Sequence, residues 1–185
     1  MSELNINLGC WHRHIPGWTH VDLCDLPHID VKTSIDDLSM FKDGTADLIY
    51  ASHCLEYFDL EQASSVLKEW RRVLKPGGIL RLAVPDFDAL LTVYAQTKDI
   101  KTILGPLYGR MQIDTENGRL ALYHKVAYSY QLLKLTLEDA NFKGVRRYDW
   151  RETIHKNYDD HSQAYYPHMD KGNGILVSLN VECHK

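Results

Sequence analysis

The sequence predicts an α/β protein with a mostly parallel sheet and helices on both faces. Three observations lead there. Strand-like segments alternate with helical ones through most of the 185 residues, and parallel neighbours need such crossovers. The segment Ala46-Asp47-Leu48-Ile49-Tyr50-Ala51 is nearly all apolar at its centre, as a buried parallel strand should be. The last two strand-like segments, 145–150 and 175–183, are joined without a helix, so the final strand can lie antiparallel.

The first strand, residues 4–8, runs into Gly9. The gap from 9 to 18 contains Pro16-Gly17 and sits at the lower limit for a crossover. Its helix is expected to shrink to a turn or two. Residues 19–23 form the second strand and end on an acid, Asp22. A strand, a glycine turn and an acid on the neighbouring strand is how a Rossmann-type sheet holds an adenosine ligand. Residues 29–32 give a third, edge strand. Asp36-Asp37-Leu38 begins a turn or short helix.

Asp59 and Gln62 form a capping-box pair. Leu60, Ala63, Val66, Leu67, Trp70, Val73 and Leu74 then recur at helical spacing. Lys75-Pro76-Gly77-Gly78 stops that helix and leads into a strand at 79–84. Residues 87–96 are expected to be helical. Between 97 and 124 we expect two short helical pieces, broken at Gly105-Pro106 and near Asn117-Gly118. Residues 129–141 form a further helix. Residues 151–174 are a polar, Tyr- and His-rich connection, and a loop of that length usually has a function or is disordered.

The length suits one domain over residues 1–185, with 151–174 as a long loop or lid. A net charge of −4, with no basic run longer than Arg71-Arg72 or Arg146-Arg147, gives no pull toward nucleic acid or membranes. No apolar run approaches the roughly 20 residues of a membrane span. The four cysteines make no C-x-x-C pair, which reads as a reduced, cytoplasmic protein. Neither His12-x-His14 nor the group Asp159, Asp160, His161, His168 has a recognised metal spacing, so no metal is expected.

Several blocks together resemble a known family: NINLGCW with PGWTHVDL, SIDDLSMFKDGTADLIYASHCLEYF, LKEWRRVLKPGGILRLAVPDFD, and LKLTLEDANFKGVRRYDW. Their order and spacing are similar to the class I S-adenosylmethionine-dependent methyltransferases. The likeness is to small bacterial members associated with polysaccharide or sugar modification. It implies a Rossmann-like, doubly wound sheet of about seven strands, order 3-2-1-4-5-7-6 with strand 7 antiparallel, and S-adenosyl-L-methionine as cofactor. It places the cofactor at Gly9, Cys10, Trp11, Asp22, Leu23, Asp36, Asp37, Leu38 and Ser52. His53 is the catalytic candidate, since histidine suits acid–base work near neutral pH. Asp86, His124 and Tyr128 are assigned to the acceptor side by analogy. Glu56 is expected to brace a turn or cap a helix.

The chain departs from the family in its first turn, with Gly9-Cys10-Trp11 where G-x-G is usual. Trp11 has three readings: it covers the sulfonium cation, it fills the site, or it packs as core. The second would make the chain a binding or regulatory module that has lost activity. A nicotinamide-dependent oxidoreductase is a weaker rival, because G-x-G-x-x-G is absent. The expectation is methyl transfer to a small polar metabolite, such as a sugar, by in-line displacement, in a monomer or homodimer.

Overall fold

The structure is a computed structural model that describes residues 3–115 and 118–185. In chain order its elements are β1 (Asn5–Leu8), β2 (Thr19–Asp22), β3 (Val31–Lys32), β4 (Ala46–Ser52), α1 (Leu60–Val73), β5 (Leu74–Pro85), α2 (Phe87–Thr97), α3 (Lys101–Tyr108), β6 (Arg110–Thr115), β7 (Gly118–Tyr123), α4 (Tyr130–Asp139), β8 (Lys143–Arg147), β9 (Tyr165–Tyr166), β10 (Ile175–Leu176) and β11 (Ser178–His184).

Seven strands form one sheet, ordered β3-β2-β1-β4-β5-β11-β8. Neighbours from β3 to β5 pair in parallel. β11 pairs antiparallel with β5 and with β8. Counted along the chain, this is the expected 3-2-1-4-5-7-6 order with the last strand reversed.

One face of the sheet is apolar. Ile6, Leu8, Val21, Ile49, Ala51, Leu80, Leu82, Leu179 and Val181 join the main core with Ala63, Val66, Leu67 and Trp70 of α1 and Leu133 and Leu137 of α4. The capping box at Asp59 and Gln62 fixes the start of α1, and Trp70 donates its indole N–H to the carbonyl of Ile35 at 2.7 Å. Ser129 caps α4.

The other face is polar, and among the described residues it is covered by turns rather than a long helix. Strand residues alternate, so Tyr50, Arg81, Asn180 and Glu182 point away from the core. The 151–174 segment, expected to be a loop, supplies several of their partners. It folds into short 3-10 turns at Trp150–Glu152, Ile154–Asn157 and His161–Gln163. Tyr50 donates to Asp160 at 2.6 Å, His155 stacks on the Tyr50 ring at 3.7 Å, and Asn180 donates to the carbonyl of Ser162. Arg81 pairs with Glu182 on the same face. Buried polar groups need such partners, which is why turns rather than an apolar helix lie here.

The first crossover, residues 9–18, is shortened as expected and consists of turns without a helix. Two expectations change. α3 runs through Gly105-Pro106, which was expected to break it. The next segment is a β-hairpin, β6 paired antiparallel with β7, where a helical piece was expected. Half of the expected break at Asn117-Gly118 lies outside the described residues. The alternation Met111-Gln112-Ile113 and Leu120-Ala121-Leu122 around an Asn-Gly dipeptide is the hairpin signature that a helical reading overlooks.

Candidate functional site

The carboxyl ends of β1, β2 and β4 open into a cavity of about 950 Å³. That is near the top of the roughly 300–1,000 Å³ range of ligand sites, enough for two molecules side by side. One wall comes from the strand ends and the turns that succeed them. The other comes from α2, α3, the β6–β7 hairpin and the residues before β11.

Gly9 begins the first wall. Its φ of +60° is left-handed, and a Cβ there would lie 3.0 Å from Cys54 Cβ, so only glycine fits without a shift. Its N–H donates to the carbonyl of Val21, tying β1 to β2. Asp22, 6% exposed, then joins two turns. Its Oδ2 accepts from the Trp11 N–H at 2.7 Å and its Oδ1 from the Cys24 N–H at 2.8 Å. Each carboxylate oxygen keeps a lone pair for a further donor. Cys10 is buried, and that burial, with Asp22 beside it, pushes its thiol up to about 12, so it is no nucleophile at neutral pH.

Trp11 adopts φ +44°, a conformation that costs a non-glycine residue about 1–2 kcal/mol. The Asp22 bond and a 2.8 Å bond from His28 Nε2 to the Trp11 carbonyl hold it there. Its side chain is 48% exposed at the cavity rim. It is therefore not core, and it leaves the cavity open. Leu23 and Ser52 also line the cavity, and the buried Ser52 hydroxyl has no hydrogen-bond partner.

Asp36, Asp37 and Leu38 do not reach it. Asp36 accepts from Ser34, Asp37 accepts from the Ser39 N–H, and Leu38 is fully buried in the core. Ser34 and Ile35, just upstream, line the cavity instead. Asp86 and Tyr128 are likewise displaced from it. Asp86 caps α2 by accepting from Asp88 and Ala89 and pairs with Arg147 at 3.0 Å. Tyr128 is wholly buried in the main core.

His53 reaches the cavity wall, but its nitrogens turn inward. Nε2 lies 3.0 Å from Ser178 Oγ, and Nδ1 faces Glu56 Oε1 at 3.6 Å. Ser178 donates its own hydroxyl to Asn180 Oδ1, so Ser178 accepts from His53 Nε2–H and leaves Nδ1 as a lone pair. His124 is arranged the same way. Nδ1 donates to the carbonyl of Pro106 at 3.0 Å, and Nε2 faces Glu56 Oε1 at 3.6 Å. A Cβ on Gly109 would sit 2.1 Å from that Nε2, so His124 packs directly on a bare backbone.

Two imidazole lone pairs thus converge on one carboxyl. Glu56 is fully buried and both its oxygens lack a hydrogen-bond partner. Desolvation pushes its pKa up to about 8, while burial holds His53 and His124 below the usual histidine value. At neutral pH the group is a neutral carboxylic acid between two neutral imidazoles. The turn that Glu56 was expected to brace is braced by its backbone carbonyl, which accepts from Lys125 and Val126.

His161 is a cavity imidazole left free, as His168 is. It lines the cavity with its ring 5.3 Å from that of His53, and its side chain makes no hydrogen bond to a described residue. From the same segment, Tyr165, Tyr166 and His168 also line the cavity, whereas His155 is buried behind it and Arg151 bonds Tyr165. Among the described residues, no group of three or more His, Cys, Asp or Glu is arranged to hold a metal ion. No described helix is long and apolar enough to cross a membrane.

The family model described as a methyltransferase domain matches residues 19–82. No curated protein sequence matches the chain. Among solved structures, it is similar to an S-adenosylmethionine-dependent methyltransferase from Methanosarcina mazei (TM-score 0.56, 18% identity, 100% of this chain and 94% of that one). It is similar to one from Archaeoglobus fulgidus (TM-score 0.56, 16% identity, 99% and 86%). It is also similar to 1,6-didemethyltoxoflavin-N1-methyltransferase from Burkholderia thailandensis, solved with 1,6-didemethyltoxoflavin and S-adenosylhomocysteine (TM-score 0.56, 15% identity, 98% and 70%). The fold of this chain is that of the S-adenosylmethionine-dependent methyltransferases.

Proposed function

We propose that the chain is a methyltransferase that binds S-adenosyl-L-methionine and methylates a small-molecule acceptor. One observation carries this reading: Gly9 and Asp22 end adjacent parallel strands of a 3-2-1-4-5-7-6 sheet and face a cavity with room for two molecules. The site fits an adenosine-bearing group. Asp22 has spare acceptor capacity for ribose hydroxyls, the Ser52 hydroxyl is unpartnered, and Gly9 offers a wall without a side chain.

When bound, the sulfonium supplies an activated methyl group. The chain's own part is to orient the acceptor and exclude water, which is catalysis by proximity. Apolar residues of the second wall exclude water. His161 is exposed on the cavity side, its pKa lowered by partial desolvation and by the nearby Arg13, and it is placed to take a proton from an acceptor hydroxyl. Of the candidates, His161 has nitrogens free for this role, and those of His53 are turned to Ser178 and Glu56.

The rest of the reading goes with this one: a single domain over 1–185, acting in the cytoplasm as a monomer or homodimer, with no nucleic-acid or membrane partner. A sugar-like acceptor would find donors in Arg13, Arg110 and Gln112 on the cavity lining, but the apolar residues that line the same cavity weigh against it. A module that lost its cofactor is not favoured, because Trp11 stands at the rim. Isothermal titration with S-adenosylmethionine and S-adenosylhomocysteine tests the reading. Binding of both is expected, and no heat from either at millimolar concentration sinks it.

A further inference from the structure

We propose that the second wall of the cavity selects an acceptor with an apolar, ring-sized body that carries a hydroxyl at one edge. The inference rests on the methyltransferase reading above and names its substrate class. Leu90, Val93 and Val177 belong to a small apolar cluster, separate from the main core, with Ala164 and Tyr166 packed against it. All five also line the cavity. Ile113 and Leu122, from the two strands of the hairpin, line it as well.

Leu90, Val93 and Val177 are nearly closed to bulk water, and the little surface they keep faces the cavity. An apolar ring seated there would cover that surface. Burying the apolar surface of such a ring favours binding, before the cost of association. A sugar body would bring hydroxyls that these apolar side chains cannot pair, and an unpaired buried hydroxyl is costly. The polar fixture close by is His161, whose ring nitrogens are free. Partial desolvation and the nearby Arg13 lower its pKa, so it meets a hydroxyl as a neutral imidazole and accepts its hydrogen bond.

The test is isothermal titration of the full chain with 1-naphthol and with methyl β-glucopyranoside, each with and without S-adenosylhomocysteine. We expect 1-naphthol to bind at least about tenfold more tightly than the glucoside, in the range by which apolar pockets discriminate. Leu122→Gln should weaken naphthol about tenfold. The isosteric Val177→Thr, which puts a hydroxyl into this wall, should weaken it severalfold even if the first variant folds poorly. His161→Gln should weaken it about two- to tenfold, the worth of one hydrogen bond. Glucoside binding as tight as naphthol, or naphthol binding indifferent to both wall variants, overturns the proposal. S-adenosylhomocysteine binding without naphthol overturns the acceptor class and leaves the methyl-donor reading standing. Naphthol binding without S-adenosylhomocysteine does the reverse.

Discussion

The two walls of the cavity are built on opposite principles. The strand-end wall is local and polar: Gly9, Asp22 and Ser52 lie where parallel strands stop, and backbone bonds hold each of the turns around them. The second wall is non-local and mostly apolar, assembled from α2, the hairpin and the residues before β11. The contrast teaches that a fold can prescribe one ligand's site through its strand ends while the other site depends on insertions that pack beside them. Glu56 sits at the seam, facing His53 of one wall and His124 of the other.

The largest expected effect tests that seam. Glu56 has a folded pKa of about 8 against a reference of 4.5. The native state therefore holds a proton that the unfolded state has released, and stability falls as pH rises from about 4.5 to about 8. Each pH unit in that window costs up to ~1.4 kcal/mol. Below about 6.5, His53 and His124, whose pKa values are lowered, push the other way, because their protonation favours the unfolded chain. The Glu56 effect is thus cleanest above pH 7. Glu56→Gln should stabilise the protein by several kcal/mol at pH 8–9 and by little near pH 4. Urea unfolding across pH gives the answer, and parallel curves for the two proteins would mean that Glu56 is ionised in the fold.

Gly9→Ala comes next. It puts a Cβ 3.0 Å from Cys54 at φ +60°, with an expected loss of about 1–3 kcal/mol and of S-adenosylhomocysteine binding. A variant with unchanged melting temperature and affinity would break the claim that the first wall depends on a bare turn. Asp22→Ala should weaken S-adenosylhomocysteine about tenfold or more, from lost charge-assisted hydrogen bonds. In the same calorimetry, His53→Gln should leave that affinity within roughly threefold, and equal losses from both would place the ligand elsewhere. Smallest is Trp11→Ala. If the ring covers the sulfonium, S-adenosylmethionine should lose about two- to fivefold more affinity than uncharged S-adenosylhomocysteine, as for an exposed cation–π contact. Equal losses would leave Trp11 as a rim contact only.

The parts legible in the sequence were those that local chemistry enforces. Asp59 with Gln62 had to cap α1, and the alternation of strands and crossovers fixed the sheet order once the family blocks were in view. The same period-2 pattern, Leu179-Asn180-Val181-Glu182 for example, also signalled a sheet with one polar face, which the expectation of helices on both faces passed over. Asp36, Asp37, Asp86 and Tyr128 were misplaced because their positions relative to a strand end say nothing of where their side chains point. Asp86 had a nearer use as a helix cap.

By itself, the sequence determined the parallel sheet, the Gly9 turn and the acid at the end of β2, because strand periodicity and glycine's access to positive φ are properties of short segments. Only the tertiary structure decided which histidine is free, what the 151–174 segment covers and how polar the second wall is. Those features depend on contacts such as His53 with Ser178 and Tyr50 with Asp160, between residues more than one hundred positions apart. No local pattern encodes such a pairing, because its partners are chosen by the packing of the whole sheet.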